Sequence, residues 1–328
     1  MAVFLALGVL ETLNFFGKGH ELISPLGNPP QKTPALTQDK YLKYSFEALS
    51  KREFTPVPLK LEVVLKKEKS FTSFVFTYLS DGKTISGMAN IPKGNNKFPV
   101  IILLRGWADR EYYHVGLGTE RSANFLAEHG FLTLAPDFLG YGYSDWEDKD
   151  ILLARFYRPV EVLNLIAALS NLPSADSSRI GLWGHSNGGQ IVLSILEITG
   201  KNYPVSLWAP VSLGFPENVF VYLGTQEEVG NMVKDKVEEF LQTHDPRKYS
   251  ISEYMNRIKS PFIIHQATAD ELIKTQWTRD LVARLRNQGL SVDFYLYSKE
   301  NHNFNRYKET GEVLRKRDLE FFRRLLKQ

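Results

Sequence analysis

The stretch "GLWGHSNGGQIVL", Gly181 to Leu193, runs from an apolar segment ending at Trp183 into Gly184-His185-Ser186-Asn187-Gly188-Gly189, then into Ile191, Val192, Ile195 and Leu196 at helical spacing. It reads as strand, sharp turn, helix, with Ser186 at the apex. In a G-x-S-x-G turn the flanking glycines leave room for a strained backbone that lifts the serine hydroxyl clear of the chain. Chance supplies roughly 0.1 such matches in a chain of this length at about 7% usage of Gly and Ser. The strand before and the helix after lower that further, so Ser186 is a candidate nucleophile.

The chain around this turn alternates. Between Leu59 and Ile91, "LKLEVVL", "SFTSFVFTYLS" and "KTISGMANI" are rich in β-branched and aromatic residues, are punctuated by a turn at Ser80 to Lys83, and read as antiparallel strands. Strands then follow at Phe98 to Leu104, Phe131 to Ala135, Val205 to Ala209, Phe262 to His265 and Val292 to Leu296. Helices are expected at Glu120 to His129, at Pro159 to Leu172 with the proline in the first turn, at Thr275 to Asn287 and at Glu309 to Leu326. This order predicts an α/β fold, a mostly parallel central sheet with helices on both faces. About fifty residues separate two successive strands at 210–260, far more than a crossover needs, and predict a small, partly helical cap over the carboxyl edge of the sheet. Residues 1–45 read as a tail or linker and 46–328 as one catalytic domain.

Composition narrows the classes. The 328 residues are 43% hydrophobic and 12% aromatic, ample for a buried core. Forty Lys and Arg against 37 Asp and Glu, mixed along the chain, leave no electrostatic footprint of nucleic-acid binding. The basic C-terminal "LRKRDLEFFRRLLKQ" reads as an amphipathic helix with a solvated face. The absence of Cys excludes disulfides, thiolate metal sites and a Cys nucleophile, and leaves the compartment open. Ala2 to Leu10 is apolar but lacks a basic n-region and the length of a membrane span. It reads either as a clipped signal or anchor, followed by a Pro-rich spacer from Ser24 to Pro34, or as a short docked helix; membrane association is expected only through this end.

A serine hydroxyl needs a base, and the base a carboxylate to orient it. Of the seven His, only His302, in "SKENHNF" past the last strand, lies in a loop where a general base would stand over Ser186. His20 falls in the tail, His114 in a loop, His129 at a helix end, His185 inside the turn, His244 in the cap and His265 within a strand. The acid belongs past the preceding strand, where "FIIHQATADELI" supplies Asp270, with Glu271 as its competitor and a helix cap as the structural alternative. The order Ser186, Asp270, His302 is that of α/β-hydrolases. Oxyanion donors are expected from the N–H of Asn187 and, after the first long strand at "RGWADR", from Trp107, with Arg105 the weaker choice. Arg105, Gly106 and Phe215 are candidate substrate contacts. "APDFLGYGYSD", Ala135 to Asp145, is a loop bordering the site rather than a nucleotide motif, since it lacks a third glycine and opens no helix. Neither GxxxxGK[ST] nor HExxH occurs, no metal-spaced cluster stands out, and no cofactor is implied.

With these residues in place, the sequence resembles the α/β-hydrolase superfamily, and within it the catalytic domain of the prolyl oligopeptidase family and its esterase relatives. The resemblance covers about residues 60–328 and rests on "SDGKTISGMANIPKG", "GFLTLAPDFLGYGYSD", "GHSNGG", "IKSPFIIHQATAD" and "NQGLSVDFYLYSKENHNF" in order. It implies the Ser-His-Asp triad and an acyl-enzyme. Two departures matter. The family often has His-Gly-Gly after the first long strand, where this chain has Arg105-Gly106-Trp107. Its peptidases carry a β-propeller that the residues ahead of the match are too few to form, which points toward esterase-like members.

The expected activity is carboxylic ester hydrolysis on a small-molecule or polymer ester. Phe215, Phe220, Tyr222 and Phe240 offer an aromatic lining for a feruloyl-type acyl group or a polyester chain, or equally a packed core. The alternatives are a propeller-less serine peptidase and a non-catalytic binding protein on the same fold. Oligomeric state is not legible.

Overall fold

The computed structural model describes residues 39–221 and 227–327; the tail readings on residues 1–38, His20 among them, and Tyr222 lie outside them. Three long strands, β1 (Lys60–Lys67), β2 (Phe71–Ser80) and β3 (Lys83–Pro92), form an antiparallel meander. Asp81 and Gly82 both take positive φ, 49° and 81°, the two-residue turn whose twist matches its flanking strands. The remaining strands are β4 (Phe98–Leu104), β5 (Leu132–Pro136), β6 (Ala175–His185), β7 (Val205–Trp208), β8 (Phe262–Ala267) and β9 (Val292–Tyr297). They give one nine-stranded sheet in the order β1-β2-β3-β5-β4-β6-β7-β8-β9. From β5 to β9 every pairing is parallel.

Alternate residues of β4 serve opposite cores, the period-two consequence of pleating. Val100, Ile102 and Leu104 join a cluster with α3 (Ile151–Ala168), α4 (Asn187–Thr199) and α7 (Thr275–Asn287). Ile101 and Leu103 join another with α2 (Glu120–Glu128) and α8 (Lys308–Leu326). A parallel sheet covered on both faces therefore reads as continuous apolar runs, as β4 does. Short helix α1 (Phe46–Lys51) is capped by Ser45, which accepts the Ala48 N–H at 3.2 Å. Among the described residues no helix is long and apolar enough to cross a membrane.

One helix start differs from expectation. Helix α3 begins at Ile151, eight residues before Pro159, because Asp150 caps it by accepting the N–H groups of Leu152 at 3.0 Å and Leu153 at 3.4 Å. Pro159 is therefore interior, and the preference of proline for a first turn misplaced the start. The compact unit that holds the sheet begins at Lys40. Tyr41 is buried against Phe156 and Phe240, and its hydroxyl donates to Asp150 at 2.6 Å.

Between β7 and β8 lie α5 (Glu217–Phe220) and α6 (Glu227–Thr243). Phe215, Val219, Val233, Val237, Phe240 and Tyr249 pack there against Leu152 and Phe156 at the start of α3. On the other face, α8 presents a buried carboxylate, Asp318. Its oxygens accept Trp183 Nε1–H from β6 at 3.1 Å, Trp208 Nε1–H from β7 at 2.9 Å, Ser206 Oγ–H at 2.7 Å and His265 Nε2–H from β8 at 3.0 Å. One side chain thus ties the last helix to three neighbouring strands. Asp318→Ala strands all four donors in the core and is expected to lower stability by about 3–5 kcal/mol, read from urea unfolding; a loss below about 1 kcal/mol would contradict this account.

Candidate active site

Strand β6 ends at His185 and α4 begins at Asn187, so the chain turns within one residue. Ser186 takes φ 54° and ψ −120°, a conformation that costs a non-glycine residue on the order of 1–3 kcal/mol. It is held there by its own backbone. The N–H donates to the Trp208 carbonyl at 3.0 Å, and the carbonyl accepts the N–H groups of Gly189 at 2.9 Å and Val211 at 3.0 Å. Crowding dictates two of the glycines: a Cβ on Gly188 would lie 1.9 Å from the Leu104 oxygen, and one on Gly184 2.7 Å from the Gly188 oxygen.

Asp270 and His302 stand on the loops that follow β8 and β9. His302 Nδ1 lies 3.0 Å from Asp270 Oδ2 and 3.1 Å from Oδ1. Asp270 also accepts the N–H groups of Leu272 at 2.9 Å and Ile273 at 2.8 Å, so it is both the partner of the imidazole and the anchor of its own turn. Burial pushes this carboxyl up, but the hydrogen bond and charge of His302, with the turn N–H groups, bring it below the usual carboxylate range. Glu271 does not compete for the ring; it accepts the backbone N–H of His302 at 3.2 Å. Buried Glu300 shapes the same loop by accepting the N–H groups of Arg306 and Tyr307.

His185, which the sequence reading assigned no role, joins the two halves of the site. Its Nε2–H donates to the His302 carbonyl at 3.1 Å, and the two rings lie 4.8 Å apart. Desolvation, with His302 beside it, pushes His185 down to about 4, so it is neutral at ordinary pH. Being adjacent to Ser186 in the chain, it brings the His302 loop to the serine turn. Among the described residues the Ser186 hydroxyl has no hydrogen-bond partner.

On the other flank, a Cβ built on Gly106 would lie 2.9 Å from Ser186 Cβ and 3.4 Å from Oγ, so the loop after β4 abuts the serine. Arg105, Gly106, Trp107 and Asn187 together line a recess of about 50 Å³, closed by Tyr141 and Arg158. Arg105 is buried, donates to the carbonyls of Gly106 and Asp137 at 2.8 Å each, and lies over the Tyr141 ring at 4.0 Å. These contacts fasten the β4 loop to the β5 loop while Arg105 lines the recess. The Phe215 ring is packed against Phe156 and Phe240, with centroids 5.2 and 5.5 Å away.

Residues the sequence reading passed over lie in the same loops. Asp137 is buried and accepts the Tyr113 hydroxyl at 2.6 Å and the Ser86 hydroxyl, while Tyr141 donates to the Ala108 carbonyl at 2.8 Å. The signal available was the tyrosine and glycine content of "FLGYGYSD". Trp107, Tyr112, Tyr143 and Trp146, exposed by 79, 71, 71 and 74%, are the most exposed large apolar side chains among the described residues, and all four belong to these two loops. Also among the described residues, no three His, Cys, Asp or Glu are grouped to hold a metal.

The nine-stranded sheet and the strained serine turn at its carboxyl edge define an α/β-hydrolase fold. Residues 118–328 match the prolyl oligopeptidase family, and the chain belongs to it. An uncharacterised 31.7 kDa protein of Escherichia coli is 33% identical over 119 residues, 35% of this chain and 40% of that protein. A probable dipeptidyl-aminopeptidase B of Ajellomyces capsulatus is 21% identical over 252 residues, 72% of this chain; the chain spans only 26% of that relative. Among solved structures, acetyl xylan esterase 1 of Thermoanaerobacterium sp. superposes with a TM-score of 0.60 at 16% identity, covering 86% of this chain and 94% of that one. Acylaminoacyl peptidase of Pyrococcus horikoshii gives 0.61 at 20% identity, covering 79% and 42%.

The low value of His185 has a measurable sign. Its folded value is about 4 against 6.5 for the free side chain, so between these the unfolded chain binds the proton and the folded chain does not. Stability contributed at neutral pH is therefore lost as pH falls through that window. His185→Gln removes the titration, and the wild type is expected to lose more stability than this variant between pH about 7 and about 4.5 in parallel urea titrations; equal losses would refute it.

Proposed function

We propose that the chain is a serine carboxylesterase that removes small acyl groups from larger alcohols. The observation that carries this reading is the His302–Asp270 pair, held on two loops at the sheet edge where Ser186 is strained into exposure. His302 Nε2 takes the Ser186 proton as Oγ attacks the ester carbonyl. The N–H groups of Asn187 and Trp107 receive the developing oxyanion. Collapse expels the alcohol, protonated by His302, and leaves an acyl-enzyme; water, deprotonated by His302, then attacks it to release the acid and restore Ser186. Asp270 fixes the tautomer with Nδ1–H toward its carboxylate and stabilises the imidazolium.

The recess of about 50 Å³ beside Trp107 and Asn187 suits an acetyl-sized group. The buried Phe215 and Phe240 remove the support they lent to an aromatic acyl pocket. The exposed rings of Trp107, Tyr112, Tyr143 and Trp146 instead offer flat surfaces to an extended alcohol or polymer outside the recess. A second reading, peptide hydrolysis, is favoured by the family and by the likeness to a probable dipeptidyl-aminopeptidase B.

Turnover of p-nitrophenyl acetate, butyrate and octanoate beside an alanyl p-nitroanilide separates these readings. Acetate is expected to be the best substrate, and Ser186→Ala to lower kcat by at least about 10⁴-fold. Anilide cleavage matching ester cleavage establishes the peptidase instead, and the absence of any Ser186-dependent turnover refutes both. Trp146→Ala is expected to raise KM for an acetylated polysaccharide about five- to tenfold, the worth of one exposed ring contact, while p-nitrophenyl acetate turnover is unchanged. Equal effects on the two substrates would show that the ring serves no extended substrate.

A further inference from the structure

A second and larger hollow, about 970 Å³, shares no lining residue with the recess beside Asn187. Its walls are the start of α2, the start of α8 and residues 303–308, the continuation of the loop that carries His302; His185 and Trp208 also face it. Four cations line it, Arg121, Arg306, Lys308 and Arg315, against two carboxylates, Glu120 and Glu312.

The cations are not used up inside the protein. Arg306 donates to the Lys299 carbonyl at 2.7 Å, but among the described residues the side chains of Arg121, Lys308 and Arg315 make neither an ion pair nor a hydrogen bond. Elsewhere arginines are paired, as in Arg52 with Asp81, Arg158 with Glu147 and Arg179 with Asp176. Arg315 is half-buried, and burial holds its guanidinium below the ordinary value against the opposing charges of Glu312 and Asp318, with Arg121 adding to the lowering. Glu120 and Glu312 offset only part of this charge, and a concave space bordered by four cations and two carboxylates is arranged for a ligand of the opposite sign.

We infer that this groove binds an anionic group, a phosphate or a carboxylate, between the guanidinium groups of Arg121 and Arg315. Guanidinium forks match either anion in bidentate geometry. The occupant would rest on the wall formed by residues 303–308, next to the His302–His185 contact. Binding there is therefore linked to the loop that sets the imidazole in place. The anion has two sources of the same chemistry: a charged part of the ester substrate, or a free anion acting on the loop.

The test is titration calorimetry of the full chain with sodium phosphate at constant ionic strength, balanced with chloride. Saturable binding is expected, weakened at least about tenfold in both Arg121→Gln and Arg315→Gln and unchanged in Arg279→Gln on α7. Arg121 is exposed, so its variant keeps the result readable if the Arg315 variant folds poorly. Heat that does not saturate beyond the chloride control, or equal affinity in wild type and Arg121→Gln, overturns the proposal. Comparison of mono-p-nitrophenyl succinate with p-nitrophenyl butyrate then names the source. A preference for the succinate that both variants lose assigns the anion to the substrate; phosphate that alters butyrate turnover, without that preference, assigns a free effector. Calorimetry needs no turnover, so its failure is separate from any failure of the esterase reading.

Discussion

The first turn of α4 lies so close to the carboxyl ends of β4 and β6 that no side chain fits between them, and the rest of the site follows from that contact. A Cβ on Gly188 would meet the Leu104 oxygen at 1.9 Å, and one on Gly184 the Gly188 oxygen at 2.7 Å. Helix and sheet can approach this far only where both lack side chains. The tight crossing leaves Ser186 with a positive φ, and backbone hydrogen bonds to Trp208 and Val211 of the β7 region and to Gly189 of α4 hold it there. The strain is local, and the surrounding sheet supports it.

Two carboxylate–imidazole pairs flank the same strands and differ in how they are enclosed. Asp318 and His265 sit in the core under β6, β7 and β8, where the carboxylate accepts four donors and the second nitrogen of His265 accepts the Tyr297 hydroxyl at 2.8 Å. Every ring nitrogen there is occupied, so the pair acts as a clamp. His302 shares only Nδ1 with Asp270, which leaves its second nitrogen for chemistry. Neutral His185 beside the His302 ring keeps a second positive charge away from it.

The loops after β4 and β5 divide their residues by depth. Arg105, Asp137 and Tyr141 face inward and bind the loops to one another through carbonyl, hydroxyl and ring contacts. Trp107, Tyr112, Tyr143 and Trp146 face outward with most of their surface in water. The inward contacts fix the loop backbones from which the exposed rings project.

The sequence by itself determined the strand and helix order, the serine turn and the order of Ser186, Asp270 and His302, because hydrophobic period, glycine placement and loop position are local properties. It was right about the places of β4, α7 and β9 for the same reason, and misplaced the start of α3 because a proline tolerated inside a helix looks locally like one that begins it. Only the tertiary structure decided that Arg105 joins the β4 and β5 loops, that Phe215 packs against Phe156 and Phe240, that His185 bridges to the His302 loop, and that Asp318 gathers donors from three strands. Those facts depend on which side chains meet across elements distant in the chain, and one-dimensional spacing carries no record of such meetings.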